Sequence, residues 1–198
     1  ALRSRTALCG TLATLSVFAA ASMLGASPAS ANPEGGQVVA GSATITQTSD
    51  TRLDVVQTSG TAIINWESFS IGSAEHTHFQ QPSASAIALN RVVGVDPSEI
   101  LGRLSATGRI MLINPNGILF GVNSRVDVSG LVATTSNISN DAFMAGNYTF
   151  DSGSLMGSAS IINQGTITIA DGGLAALVAP GVVNDGIIQA RLGRVVLA

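Results

Sequence analysis

The stretch Arg109-Ile110-Met111-Leu112-Ile113-Asn114-Pro115-Asn116-Gly117-Ile118-Leu119-Phe120-Gly121 holds two apolar runs separated by a tight polar corner. Pro115 fixes φ near the value wanted at the second position of a turn, and Asn116 and Gly117 tolerate left-handed dihedrals. The Asn114 carboxamide is placed to hydrogen-bond backbone two residues on. The stretch reads as strand, rigid corner, strand.

Further along the chain the same device returns. Gly108-Arg109-Ile110-Met111-Leu112-Ile113, Gly130-Leu131-Val132-Ala133-Thr134, Gly173-Leu174-Ala175-Ala176-Leu177-Val178 and Gly193-Arg194-Val195-Val196-Leu197 are versions of one Gly-plus-apolar strand, with glycines 22, 43 and 20 residues apart. These distances are one, two and one repeats of about twenty residues, the range of solenoids. Asn163-Gln164-Gly165 and Asn184-Asp185-Gly186, 21 residues apart, mark the same phase. A parallel β-solenoid is predicted, with small apolar residues stacked inside and Asn and Gly at its corners.

Composition agrees. Charged residues make up 11% of the 198 residues and aromatics 4%, there is no lysine, and 22 residues are glycine. Ala, Val, Ile, Ser and Thr dominate, which suits thin repetitive β-layers.

Residues 1–31 read as a secretory signal peptide: Arg3 and Arg5 precede an apolar stretch from Ala7 to Leu24, and Ala29 and Ala31 supply the small residues of a cleavage site before Asn32. Removing them leaves seven arginines against twelve acids, a net charge of −5 that makes nucleic acid a poor partner. The single cysteine, Cys9, leaves with the signal. A cysteine-free chain is what passage in unfolded form across a second membrane would favour. The chain starts without Met and stops within an apolar β-run, so it is expected to be the front end of a longer protein.

In chain order, Gln37 to Ala40, Ala43 to Thr48, Leu53 to Gln57 and Thr61 to Asn65 read as half-buried strands. Trp66, Phe69 and Ile71 then form an expected hydrophobic plug, with a ligand platform as the sharper alternative. His76 and His78 share one face of a strand, but with no third ligand at a sensible spacing they read as a solvated strand edge, not a metal site. Asp96-Pro97-Ser98-Glu99 reads as a turn able to cap one helical turn. Arg91, Arg103 and Arg109 are expected to bridge an acid or bond a loop carbonyl. Asn137 to Ser160 interrupts the repeats and holds one short helix, capped by Ser139 or Asn140 and ended by Gly146.

Several blocks, taken in order, carry a family resemblance. They are Asn65-Trp66-x-x-Phe69-x-Ile71-Gly72, Phe79-Gln80-Gln81-Pro82-Ser83, Leu89-Asn90-Arg91-Val92-Val93-Gly94, Ile100-Leu101-Gly102-Arg103-Leu104, Asn114-Pro115-Asn116-Gly117-Ile118-Leu119-Phe120-Gly121 and Gly130-Leu131-Val132-Ala133-Thr134-Thr135. The chain closely resembles the N-terminal secretion domain of filamentous haemagglutinin-like exoproteins of Gram-negative two-partner secretion. The likeness covers about residues 32–150, leaving 151–198 as the first repeats of a truncated β-helix body.

The resemblance implies an all-β, right-handed parallel β-helix with an N-terminal cap and small extra-helical elements. It also implies export to the periplasm and recognition there by the POTRA domains of an outer-membrane β-barrel transporter. Asn114, Pro115, Asn116 and Gly117, with Asn90, Arg91, Asn65, Trp66 and Phe69, are the expected recognition or folding motif. The expected product is a secreted adhesin, haemagglutinin, haemolysin or toxin, whose missing C-terminal region would meet host glycans or proteins. Neither catalytic residues nor a cofactor is expected, because the acids Asp127, Asp141, Asp151, Asp171 and Asp185 lie far apart along the chain. The alternative is a β-helix carbohydrate-binding or carbohydrate-active protein.

Overall fold

The computed structural model describes residues 32–150 and 159–198. The expected signal peptide, 1–31, and residues 151–158 lie outside the described residues. Two lead strands, β1 (Gln37–Ala40) and β2 (Ala43–Ser49), precede β3 (Arg52–Gln57) and β4 (Thr61–Trp66). Then come β5 (His76–Gln80), β6 (Ile87–Val92), β7 (Ser98–Ile100), β8 (Arg103–Ala106) and β9 (Arg109–Ile113). After β10 (Ile118–Phe120), β11 (Arg125–Val128) and β12 (Gly130–Thr134), the helix α1 (Asn140–Met144) interrupts the repeats. They resume as β13 (Ser160–Asn163), β14 (Thr166–Ile169), β15 (Leu174–Val178), β16 (Gly181–Asn184), β17 (Ile187–Ala190) and β18 (Arg194–Leu197).

These strands stack into three faces of a solenoid. The first face runs β1-β4-β6-β9-β12-β15-β18, the second β7-β10-β13-β16, and the third β2-β3-β5-β8-β11-β14-β17. From β3 and β4 onward every pairing is parallel, giving the expected β-helix. Among the described residues the antiparallel strand pairs are β1 on β4 and β2 on β3, and each of these pairs carries a register shift. They form the expected N-terminal cap.

The faces differ in pattern because they differ in what covers them. On the third face Leu53 and Val55 point inward and are buried, while Arg52 and Asp54 alternate outward. On the first face, Ala62, Ala88, Ile110, Leu131 and Ala175 stack in register inside. Its outer side is also covered: Ile63, Leu89, Met111 and Ile113 pack against Ile138 and Phe143 of the α1 segment. A sheet buried on both sides reads as an unbroken apolar run, which explains Ile110 to Ile113.

The helix forms where expected, with Ser139 as its cap. The Ser139 hydroxyl accepts from the Ala142 amide at 3.2 Å, and Gly146 takes φ +75° just beyond the end. Ser139→Ala is expected to cost about 1 kcal/mol, read as a lowered thermal midpoint with the β-sheet circular dichroism unchanged.

Two sequence expectations need correction. Gly130 pairs with Arg109 rather than Gly108, so the true coil spacings along the first face are 21, 44 and 20 residues, from Ile110 to Leu131, Ala175 and Val195. Ser129 takes the corner place held elsewhere by glycine, its amide bonding the Gly108 carbonyl at 3.0 Å and its hydroxyl the Thr107 carbonyl at 2.7 Å. Asp96-Pro97 caps no helical turn, because Ser98 to Ile100 is drawn into β7 by pairing with β10.

Candidate functional site

The corner at Asn114 to Gly117 closes as a β-turn, the Gly117 amide bonding the Asn114 carbonyl at 3.2 Å. Gly117 sits at φ +111°, where a side chain would be strained and where a Cβ would come within 3.0 Å of the Ser160 carbonyl. Asn116 does not use its left-handed tolerance, since Leu192 is the one non-glycine with positive φ among the described residues.

The Asn114 side chain is 0% exposed and fully engaged. Its Oδ1 accepts from the Asn116 amide at 2.9 Å and from Asn116 Nδ2 at 3.1 Å. Its Nδ2 donates to the Asp96 carbonyl at 3.0 Å and to Ser98 Oγ at 2.9 Å. Asn116 Nδ2 also reaches the Gly94 carbonyl at 3.0 Å. Both carboxamides thus turn inward and grip the corner one coil below. The sequence marks Gly94 within a resemblance block and Asp96 and Ser98 within a turn, but it does not pair them with Asn116 and Asn114, which they precede by 22, 18 and 16 residues, close to one repeat.

Arg91 builds a second cluster on the outer side of the first face. Its guanidinium donates to Asn137 Oδ1 at 2.9 Å, Asn140 Oδ1 at 2.8 Å, Asn65 Oδ1 at 3.2 Å and the Ile138 carbonyl at 2.6 Å. Desolvation there pushes its pKa down. The expected loop-carbonyl partner is present, and the remaining partners are amides rather than acids. Asn65 and Arg91 are register partners on β4 and β6, so the strand pairing alone brings them together.

Trp66, Phe69 and Asn90 face the core. Trp66 and Phe69 meet edge to face at 5.6 Å, Phe69 stacks on Phe79 at 6.5 Å, and Trp66 Nε1 donates to the buried Asn90 Oδ1 at 2.9 Å. Burial at 0% and 1% removes the ligand-platform reading of Trp66 and Phe69. Arg103 faces Asp127 at 3.8 Å on an exposed surface, and Arg109 bonds the Ser85 carbonyl at 3.2 Å.

The two histidines correct another expectation. Strand β5 lies inside the third face, between β3 and β8, so it is not an edge. An arginine can only donate, so Arg52 NH1 at 3.0 Å makes His76 Nδ1 an acceptor. His76 Nε2–H then donates to Ser105 Oγ at 2.7 Å, and the Ser105 hydroxyl donates to His78 Nδ1 at 2.8 Å. Both rings are held neutral. Desolvation, then Arg52 and Arg103, lower His76 to about 4, and desolvation and Arg52 lower His78. Beside them Arg52 hydrogen-bonds Asp54 at 2.7 Å and depresses that carboxyl.

A histidine depressed in the folded state takes up protons more readily when unfolded. Stability is therefore expected to be complete above pH 6.5 and to fall as pH drops toward 4. The depressed Asp54 adds its own loss only below the ordinary carboxylate pKa of 3.8. Urea melts of the chain and of His76→Gln between pH 7 and 4 check this; the variant should show the shallower slope.

The geometry defines a β-solenoid whose signature residues brace coil corners and an extra-helical flank, with no group of three or more metal-ligating side chains among the described residues. A family model for the TPS secretion domain matches residues 29–198. The chain belongs to that family, the secretion domains of large two-partner-secretion exoproteins.

A heme/hemopexin-binding protein of Haemophilus influenzae is 35% identical over 196 residues, covering 94% of this chain and 21% of the relative. A second protein of that description and species is 36% identical over 118 residues, 60% of this chain and 13% of its own length. The chain thus spans about a fifth or less of these relatives. Among solved structures, the HMW1 secretion domain of Haemophilus influenzae superposes with a TM-score of 0.79 at 34% identity, over 84% of this chain and 45% of that one. The family is one of secretion domains rather than of enzymes, which favours the export reading over the carbohydrate-active alternative. Its members are exported and are recognised by a partner transporter.

Proposed function

We propose that this chain is the non-enzymatic export and recognition module at the head of a large adhesin, haemagglutinin, haemolysin or toxin. Residues 1–31 direct it to the periplasm. Residues 32–150 are bound there by the POTRA domains of an outer-membrane β-barrel transporter, and 151–198 begin the β-helix body. The product reaches the cell surface or the medium, where a region beyond Ala198 meets host glycans or proteins.

The family match across residues 29–198 carries this reading. Solenoid physics supports it. Each coil pairs only with its neighbours, so a chain leaving a pore folds coil upon coil without waiting for its C-terminus. In this scheme Asn114, Pro115, Asn116, Gly117, Asn90, Arg91, Asn65, Trp66 and Phe69 act by building the folded module.

The test is to produce the chain with and without a candidate partner transporter of two-partner secretion. Protein starting at Asn32 in the medium only when the transporter is present is the expected result. Equal release without the transporter would overturn the proposal.

A further inference from the structure

The two asparagines of the corner spend their side chains on one loop, Val93 to Pro97. Asn116 holds the Gly94 carbonyl and Asn114 the Asp96 carbonyl. The loop is fixed at its ends as well, by the Val93 amide on the Trp66 carbonyl at 2.8 Å and the Ser98 amide on the Gly117 carbonyl at 3.0 Å. Gly94 is required for this seat, because a Cβ there would collide with the Glu67 carbonyl.

What the loop presents outward is unusual for a braced corner. Val93 is 56% exposed and Val95 84% exposed, with Pro97 exposed beside them. At other coil corners Val122 and Leu192 are exposed, each with no second exposed large apolar residue within two positions of it in the sequence. Acids surround the valines: Asp96, Glu99 and Glu67 are exposed, and none forms an ion pair with a described residue. A shallow hollow of about 180 Å³ beside Pro97 and Glu99 continues the surface to Leu119 and Ile162. A rigid apolar knob with an acidic rim loses little freedom on binding and fits an apolar groove rimmed by Arg or Lys.

We propose that the Val93–Pro97 loop is the surface read by the transporter, and that Asn114 and Asn116 are its positioning residues rather than contacts. The inference rests on the export reading above and deepens it. The corner motif then acts at one remove: its carboxamides fix the backbone that displays Val93 and Val95. The partner is a basic-rimmed apolar groove on the periplasmic side of the transporter. Binding should weaken as salt is raised, because the rim pairs are solvent-exposed.

The experiment compares the full chain with Val93→Asp/Val95→Asp, Val95→Ser and a control, Val122→Asp, for binding to the intact transporter in detergent and for export when produced together. Exposed positions leave the fold intact, so melting midpoints should stay within about 2 °C of the parent. The double variant is expected to bind at least about tenfold more weakly and to stay in the periplasm, with Val95→Ser weakened in part and Val122→Asp unchanged. Parent-like binding and export by the double variant would overturn the inference. If the double variant melts low, Val95→Ser decides: weaker binding with a parent-like midpoint supports the inference, and unchanged binding overturns it. Failure of the unsubstituted chain to bind or be exported would instead overturn the export reading, and this inference with it.

Discussion

Asn114→Ala should lower the melting midpoint of the domain by on the order of 10 °C. Truncation removes two acceptor and two donor bonds at once and leaves the Asp96 carbonyl and the Asn116 amide without their partners. An unsatisfied buried polar group costs about 1–3 kcal/mol, and the four bonds belong to one network in a site with no exposure. A loss of about 3 kcal/mol is a large part of a domain's net stability and, at this chain length, converts to roughly that shift.

Asn114→Asp should do no better, since an acceptor would replace the donor facing the Asp96 carbonyl. Asn116→Ala removes the bonds to Gly94 and to Asn114 Oδ1 at a half-exposed position. It should cost about 1 kcal/mol. Thermal melts followed by β-sheet circular dichroism, beside export assays, separate the two asparagines. A parent-like midpoint for Asn114→Ala would show that the buried network is not what the corner contributes.

The second large effect belongs to Arg91. One guanidinium joins Asn65 on the solenoid to Asn137, Ile138 and Asn140 on the flank, so Arg91→Ala removes the polar clamp in a single step. Hydrogen bonds from a charged donor contribute about 1.5–3 kcal/mol each, and losing the clamp also loosens the burial of Phe143, worth about 2 kcal/mol. The expected outcome is local: amides of 138–146 exchange quickly and proteases cut there, while β9 and β12 stay protected. Arg91→Lys should recover only a small part, because an ammonium cannot span carbonyl and amide partners in three directions as the planar fork does. Hydrogen exchange by mass spectrometry reads both variants. Unchanged protection of α1 in Arg91→Ala would refute the clamp.

Much of the fold was legible because solenoid order is local and periodic. The corner chemistry of Asn114 to Gly117, the strand from Thr61 and the Ser139 cap can each be read within a short window, and the Asn163–Asn184 phase marker from the repeat itself. That last pair meets side chain to side chain at 2.7 Å. What was not legible depends on neighbours about one coil or more away. Gly130 looked like the next copy of Gly108, yet its register partner is Arg109, whose Cγ would lie 3.1 Å from a Cβ on Gly130. His76 and His78 looked like an edge because nothing local announces that β8 pairs beside them. The flank partners of Arg91 lie 46 to 49 residues downstream, beyond any periodicity. The inward aim of both corner asparagines was hidden for the same reason, since their acceptors lie in the previous coil.

The reversed strands at the N-terminal end bear on assembly as well as on burial. Strand β1 is four residues long, and both β1 and β2 shift register against their neighbours, which blunts the edges they leave. Beyond them every coil offers the next one an in-register parallel template. In the language of polymers, the domain is a seed whose N-terminal end is stopped on two of its three faces, so coils are added from the other end.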